Sequence, residues 1–291
     1  MTDIDEDLVR SLVASQFPEY AHLPVTQVLP GGNDNRTFRL GNELSVRLPS
    51  AEGYVAGVAK EQRWLPHLAP HLPLPIPNPV AAGRPGLGYP WPWTINRWMP
   101  GTDALTAPEL DKPRFARDVG RFVAALQRVD ATGGPLAGEH SFYRGASLRH
   151  YDEETRSCLG LLADDLGAGT IAAATRVWDD AISTEWDRAP VWFHGDIAPG
   201  NLLIESGSLS AVIDFGTSGV GDPACDLVIA WTFLDPAARP AFAAEAQLDD
   251  ATWARARGWA LWKALLMAVV QGRDEPDNYR VISATLGWSG P

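Results

Sequence analysis

Two periodicities divide this chain. Up to Gly101, short runs of alternating apolar and polar residues are broken by glycine, proline and asparagine. Beyond it, apolar residues recur at three- and four-residue intervals. In the first stretch, residues 5–16 predict a helix and Val25–Leu29 a strand. Pro30-Gly31-Gly32-Asn33-Asp34-Asn35-Arg36 reads as a turn. Thr37-Phe38-Arg39-Leu40 and Leu44-Ser45-Val46-Arg47-Leu48, joined by Gly41-Asn42, predict a β-hairpin. A helix is expected over Val55–Leu68, followed by a proline-rich passage at 70–79. Val80–Ala82 and Thr94–Trp98 read as strands, with Pro90 and Pro92 opposing any strand across 89–93. Met99-Pro100-Gly101 reads as a junction between lobes.

The second stretch predicts helices over Val119–Val129, 153–166 and 171–187. Another is expected to begin at Asp226 and reach Phe233, and Trp259, Trp262, Leu266 and Val269 form a late helical stripe. Leu202–Ile204 and Ala211–Ile213, on either side of Gly207, read as a small hairpin. Sheet first and helices second argue for an α+β chain in two lobes, 1–98 and 99–291, the second larger and mainly helical.

Composition narrows the partners. The formal net charge of −12 disfavours nucleic acid and favours a cationic small substrate, or serves solubility alone. The opening residues carry no apolar signal core, and the apolar segment Trp259–Val270 contains Lys263 and is too short to span a bilayer. The expectation is a cytoplasmic protein with no membrane partner. Cys158 and Cys225 are the only cysteines, so no disulfide framework or cysteine-rich zinc site is expected.

The chemistry concentrates in FHGDIAPGNLLI and AVIDFG, which carry His194, Asp196, Asn201 and Asp214. Asp196 precedes Asn201 by five residues and Asp214 by eighteen. That order matches a kinase's catalytic-loop aspartate, its downstream asparagine and the aspartate of D-F-G. Phosphoryl transfer to an alcohol needs a carboxylate near the incoming hydroxyl, which is the role read for Asp196. Asn201 and Asp214 offer hard oxygen donors for Mg2+ shared with phosphate oxygens. A plainer reading has Asp196 and Asn201 capping turns around Pro199-Gly200. His194 reads as a brace for the loop. Asp222, ahead of Pro223, reads as a helix start, and Asp226 as support for the loop backbone.

HGDIAPGN, IDFG and GDPACDL together resemble the aminoglycoside phosphotransferase family, relatives of the protein kinases. Gly195, where protein kinases commonly have arginine, points the same way. The resemblance extends less sharply through the hairpin, VRLP, KEQRWLP and WMPG. It implies a bilobal protein-kinase-like fold with a small N-terminal antiparallel-sheet lobe, and ATP or GTP bound between the lobes. By the same match Asp196 is the catalytic aspartate, and Asn201 and Asp214 are magnesium ligands. The family's third strand usually carries a lysine that touches the phosphates. Here Arg47 stands in that strand, with Glu61 on the next helix as its expected partner. Lys60 is a rival phosphate cation, expected to stand in solvent. If Arg47 cannot serve, catalysis weakens or the chain is a catalytically silent nucleotide-binding module. Gly32 and Asn33 either form a plain hairpin turn or lie over the phosphates through backbone N–H groups. Trp98 and Met99 would line the purine, or Trp98 would be core.

The implied reaction moves the γ-phosphate of a nucleoside triphosphate to a hydroxyl of a small molecule. An aminoglycoside-type acceptor would need carboxylates, and Asp235, near the end of the helix starting at Asp226, is the foremost candidate. Trp231 and Trp262 could line its pocket or be core. A metabolic kinase acting on a sugar, amino alcohol or homoserine-like acceptor is the alternative.

Overall fold

A computed structural model describes residues 4–29, 31, 34–288 and 290. The chain divides into two units, Met1–Gly101 with Ser210–Gly216, and Thr102–Leu209 with Thr217–Pro291.

The first unit opens with α1 (Glu6–Gln16). Asp5 caps it by accepting from the Leu8 N–H at 2.8 Å, and Glu6 and Asp7 complement the helix dipole. Then come β1 (Val25–Gln27), β2 (Asn35–Leu40), β3 (Leu44–Pro49), α2 (Val55–Leu68), β4 (Pro79–Gly83) and β5 (Trp93–Arg97). The strands form one antiparallel sheet in the order β1-β2-β3-β5-β4. Strand alternation gives this sheet an apolar face: Phe38, Leu40, Val46, Leu48, Trp93 and Ile95 are buried in one core with Val9, Leu12 and Val13 of α1. Each such side chain contributes roughly 1.5–3 kcal/mol by leaving water. Gly83, opposite Trp93, has no room for a side chain, because a Cβ there would fall 2.0 Å from the indole.

The second unit contains β6 (Thr102–Asp103), α3 (Lys112–Gln127), α4 (Asp152–Leu161), α5 (Ala163–Ile182), β7 (Val191–Phe193) and β8 (Leu202–Glu205). β9 (Ser208–Val212) begins in the second unit and ends in the first. β10 (Gly219–Gly221), α6 (Ile229–Thr232), α7 (Arg239–Ala246), α8 (Asp250–Gln271) and α9 (Pro276–Gly287) complete it. Phe115, Val119, Phe122, Val123 and Leu126 are buried along α3, which packs on α7; α5 and α9 pack on α8. The architecture is the expected mixed one, an antiparallel sheet followed by helices. No helix among the described residues is long and apolar enough to cross a membrane.

Three elements depart from the expected bounds. α4 ends at Leu161 rather than 166. α5 starts at Ala163 rather than 171 and kinks at Gly167, whose φ is +76°. It stops at Ile182, so the polar run to Asp187 lies outside it. The helix expected over Asp226–Phe233 is instead a 3-10 turn, Pro223–Leu227, followed by the single turn of α6. There the Asp226 carboxylate is committed to backbone N–H groups of another loop.

Candidate active site

In the second unit, β7 pairs with β10 and delivers the chain to a loop that begins at His194. His194 is fully buried, and so is Asp226. The two Asp226 oxygens accept from the backbone N–H groups of His194 and Gly195, each at 2.7 Å. Burial pushes the Asp226 pKa up; His194 and these two N–H groups pull it down without cancelling the rise. Gly195 has φ +84°, and a Cβ would lie 2.9 Å from the Thr217 carbonyl and hydroxyl oxygens. Glycine here answers to close approach and to a left-handed backbone. The Thr217 hydroxyl donates to the His194 carbonyl at 3.0 Å. His194 Nδ1 accepts from the Asp196 N–H at 3.1 Å, so the imidazole serves the loop backbone.

Asp196 emerges half-buried from this brace. Asn201 Nδ2 donates to Asp196 Oδ2 at 2.9 Å and to its carbonyl at 3.0 Å. The carboxylate is therefore oriented through one oxygen, and Oδ1 has no hydrogen bond among the described residues. The same contact spends the amide nitrogen of Asn201 and presents its Oδ1 as the available donor atom.

In the first unit, one guanidinium serves two carboxylates. Arg47 on β3 donates through Nη1 to Glu61 of α2 at 3.3 and 3.4 Å, and through Nη2 to Asp214 Oδ1 at 2.9 Å. Burial works against the charge on Arg47, but Glu61 and Asp214 outweigh it and the pKa rises. Burial raises the Glu61 pKa, and Arg47 only partly offsets that. Asp214 holds φ +67°, a conformation that aspartate tolerates better than most residues. Lys60 does not stand in solvent as expected: it is 8% exposed, donates to the Gly216 carbonyl at 2.7 Å, and is lowered by burial to a pKa of about 8. Its stem lies on the buried side of α2, so its ammonium secures the turn after Asp214. Gly32 and Asn33 lie outside the described residues. Trp98 and Met99 are half-buried, and the Arg39 guanidinium carbon sits 4.1 Å from the Trp98 ring centroid.

The remaining expected residues have specific neighbours. Asp222 caps the turn at Pro223 by accepting from the Ala224 N–H, and pairs with Arg255 at 2.7 Å in the interior. Asp235 accepts from the Ala238 N–H at 2.9 Å and lies 3.4 Å from Lys112. Those contacts, the backbone bond first, lower its pKa. Trp231 is fully buried against Trp253 and Trp288 and donates to the Trp288 carbonyl, so it is spent on packing. Trp262 stacks on Tyr151 at 4.0 Å and donates to Glu154 Oε2 at 2.6 Å. Sequence reading missed Arg144, whose side chain runs along Gly195: its Cδ lies 3.3 Å from where a Gly195 Cβ would be. It also missed Lys263, within electrostatic reach of Asp196. Their only sequence signal is adjacency to aromatic residues, Phe142-Tyr143 and Trp262.

A model of the phosphotransferase enzyme family matches residues 25–259. No curated protein matches. The GDP complex of aminoglycoside 2'-phosphotransferase-IIIa superposes with a TM-score of 0.75 at 17% identity, covering 97% of this chain and 99% of that one. The GDP and kanamycin complex of APH(2")-IIia gives 0.72 at 18% identity, covering 96% and 97%. Macrolide 2'-phosphotransferase MphH from Brachybacterium faecium gives 0.61 at 22%, covering 97% and 98%. This chain shares their kinase-like fold.

Proposed function

The chain belongs to the phosphotransferase enzyme family, and from that premise we propose that it moves the γ-phosphate of ATP or GTP to a hydroxyl of a small molecule. The observation that carries this is the Asp196 carboxylate. It is aimed by Asn201 through one oxygen, keeps the other available, and sits on a loop braced by Asp226. Such a carboxylate can orient an incoming hydroxyl and accept its proton late in transfer.

Arg47 is held by Glu61 with guanidinium donors suited to phosphate oxygens. Asn201 Oδ1 and the Asp214 carboxylate are the hard oxygen donors that would hold Mg2+. Among the described residues no cluster of three or more His, Cys, Asp or Glu could hold a metal ion unaided. When bound, Mg2+ neutralises charge on the phosphates being transferred. Aminoglycosides are the first acceptors to test, since relatives of the same fold are named for them.

Equilibrium binding of ATP and GTP, with and without magnesium, tests the donor side. Asp196→Ala should bind magnesium-nucleotide like the parent, whereas Asp214→Ala should lose the magnesium-dependent part. Equal magnesium dependence in the parent and Asp214→Ala would contradict the role given to Asp214.

A further inference from the structure

Three features of the second unit converge on Arg144 and Lys263. The first is a strained aromatic turn. Phe142 and Tyr143 hold consecutive left-handed conformations, φ +49° and +55°. Bulky side chains rarely adopt this region, at a cost of order 1–3 kcal/mol each. The turn is maintained from outside: the Tyr151 hydroxyl donates to the Phe142 carbonyl at 2.8 Å, and the Ser141 hydroxyl donates to the Arg144 carbonyl at 2.9 Å. Its effect is to lay Arg144 along Gly195.

The second feature is a pair of cations that no carboxylate binds directly among the described residues, although Asp196 and Glu154 act on Lys263 at a distance. Neither the Arg144 guanidinium nor the Lys263 ammonium has a hydrogen bond or ion pair among the described residues, apart from a cation–π approach of Arg144 to Phe142 at 5.8 Å. Arg114, Arg121, Arg149, Arg156, Arg255 and Arg280 each reach a carboxylate, and Arg239 and Arg257 donate to backbone carbonyls, so what sets Arg144 and Lys263 apart is their place by Gly195 and Asp196 rather than the lack of an ion pair alone. Partial burial lowers the Lys263 pKa and Arg144 lowers it further, against the pull of Asp196 and Glu154. Two mutually repelling cations, neither of them in an ion pair among the described residues, keep their donors free to hold an anion.

The third feature is an aromatic wall. Tyr143 stacks on His150 at 3.5 Å and Tyr151 on Trp262 at 4.0 Å, with Trp262 adjacent to Lys263. Phe142 is 44% exposed. Asp235, the carboxylate expected to greet a polycation, is instead paired with Lys112.

We propose that Arg144 and Lys263 form an anion-binding pair for the acceptor, which is therefore an alcohol carrying a carboxylate or phosphate group beside an aromatic or apolar body. The assignment rests on the phosphotransferase reading, since it makes this the acceptor side of Asp196.

The test uses three probes of one shape and different charge: para-(hydroxymethyl)benzoate, its methyl ester, and para-(hydroxymethyl)benzylamine. Calorimetric titration of the full chain should show tightest binding for the carboxylate. Arg144→Gln with Lys263→Gln should weaken it roughly thirtyfold, with the ester little changed. Lys263→Gln alone, at an exposed side chain, should give part of the loss; Arg144→Lys should keep the preference. The proposal is overturned if the carboxylate binds no more tightly than the ester and the amine, or if the double variant keeps the preference. It is also overturned if the double variant loses magnesium-ATP affinity instead, which would assign the pair to the donor's phosphates. Failure of the phosphotransferase reading looks different. Carboxylate binding that depends on the pair, with no nucleoside diphosphate release for any acceptor, would retain the anion pair and reject phosphoryl transfer.

Discussion

Replacing Asp226 with asparagine probes the brace under the candidate loop. The parent carboxylate accepts two backbone N–H groups at 2.7 Å in a fully buried place. A carboxamide offers one oxygen, and its NH2 group would face the second N–H as donor against donor. One charge-assisted bond becomes neutral, the other is lost, and a buried donor is left unmet, together about 3–5 kcal/mol. Removing a buried charge offsets some of this, because burial dominates the raised Asp226 pKa. The net loss should be about 2–4 kcal/mol, or a fall in melting temperature of roughly 5–10 °C for a chain of this size. Turnover should fall more steeply than stability alone requires, since Asp196 is two residues from His194. The pH response provides a second check. A carboxyl whose folded pKa is raised contributes stability fully present below the ordinary aspartate value, and loses it as pH rises through the folded one. Asp226→Asn should remove that descending component. Circular dichroism melts across acidic pH, with turnover measured at neutral pH, would decide. A variant that melts and turns over like the parent would refute the brace.

Lys60 gives the opposite slope. Its pKa is lowered from 10.5 to about 8, so the unfolded chain binds more protons between those values and stability should rise with pH across them, by up to about 3 kcal/mol. Denaturant unfolding of Lys60→Met should lack that rise, and an unchanged rise would remove Lys60 as its source. Asp222→Ala leaves Arg255, only 3% exposed, without its carboxylate. A loss of about 3–5 kcal/mol is expected in chemical unfolding, and a loss under roughly 1 kcal/mol would mean the pair is not structurally important.

Where one periodicity governed a segment, the sequence was readable. Thr37–Leu40 and Leu44–Leu48 became β2 and β3 because alternation there coincides with one buried face. The Asp196–Asn201 contact was readable because only a short loop lies between them. The fate of Lys60 was not. Position in α2 buries it, whereas charge alone suggested solvent. Trp231 and Trp262 look alike in local sequence terms, and only tertiary packing makes one core and places the other against Tyr151 and Glu154. Arg144 was hidden for a different reason: its placement depends on two left-handed aromatic residues, a conformation no propensity predicts.

Acceptor-stimulated release of nucleoside diphosphate, in magnesium with ATP and GTP run separately, tests the central claim most directly. The acceptor panel should span aminoglycosides, macrolides, metabolic alcohols and hydroxy-acids, with Asp196→Ala alongside. Stimulated release by at least one alcohol is expected, abolished in Asp196→Ala while that variant still binds magnesium-nucleotide. Stimulated release that persists undiminished in Asp196→Ala would contradict the role of this carboxylate.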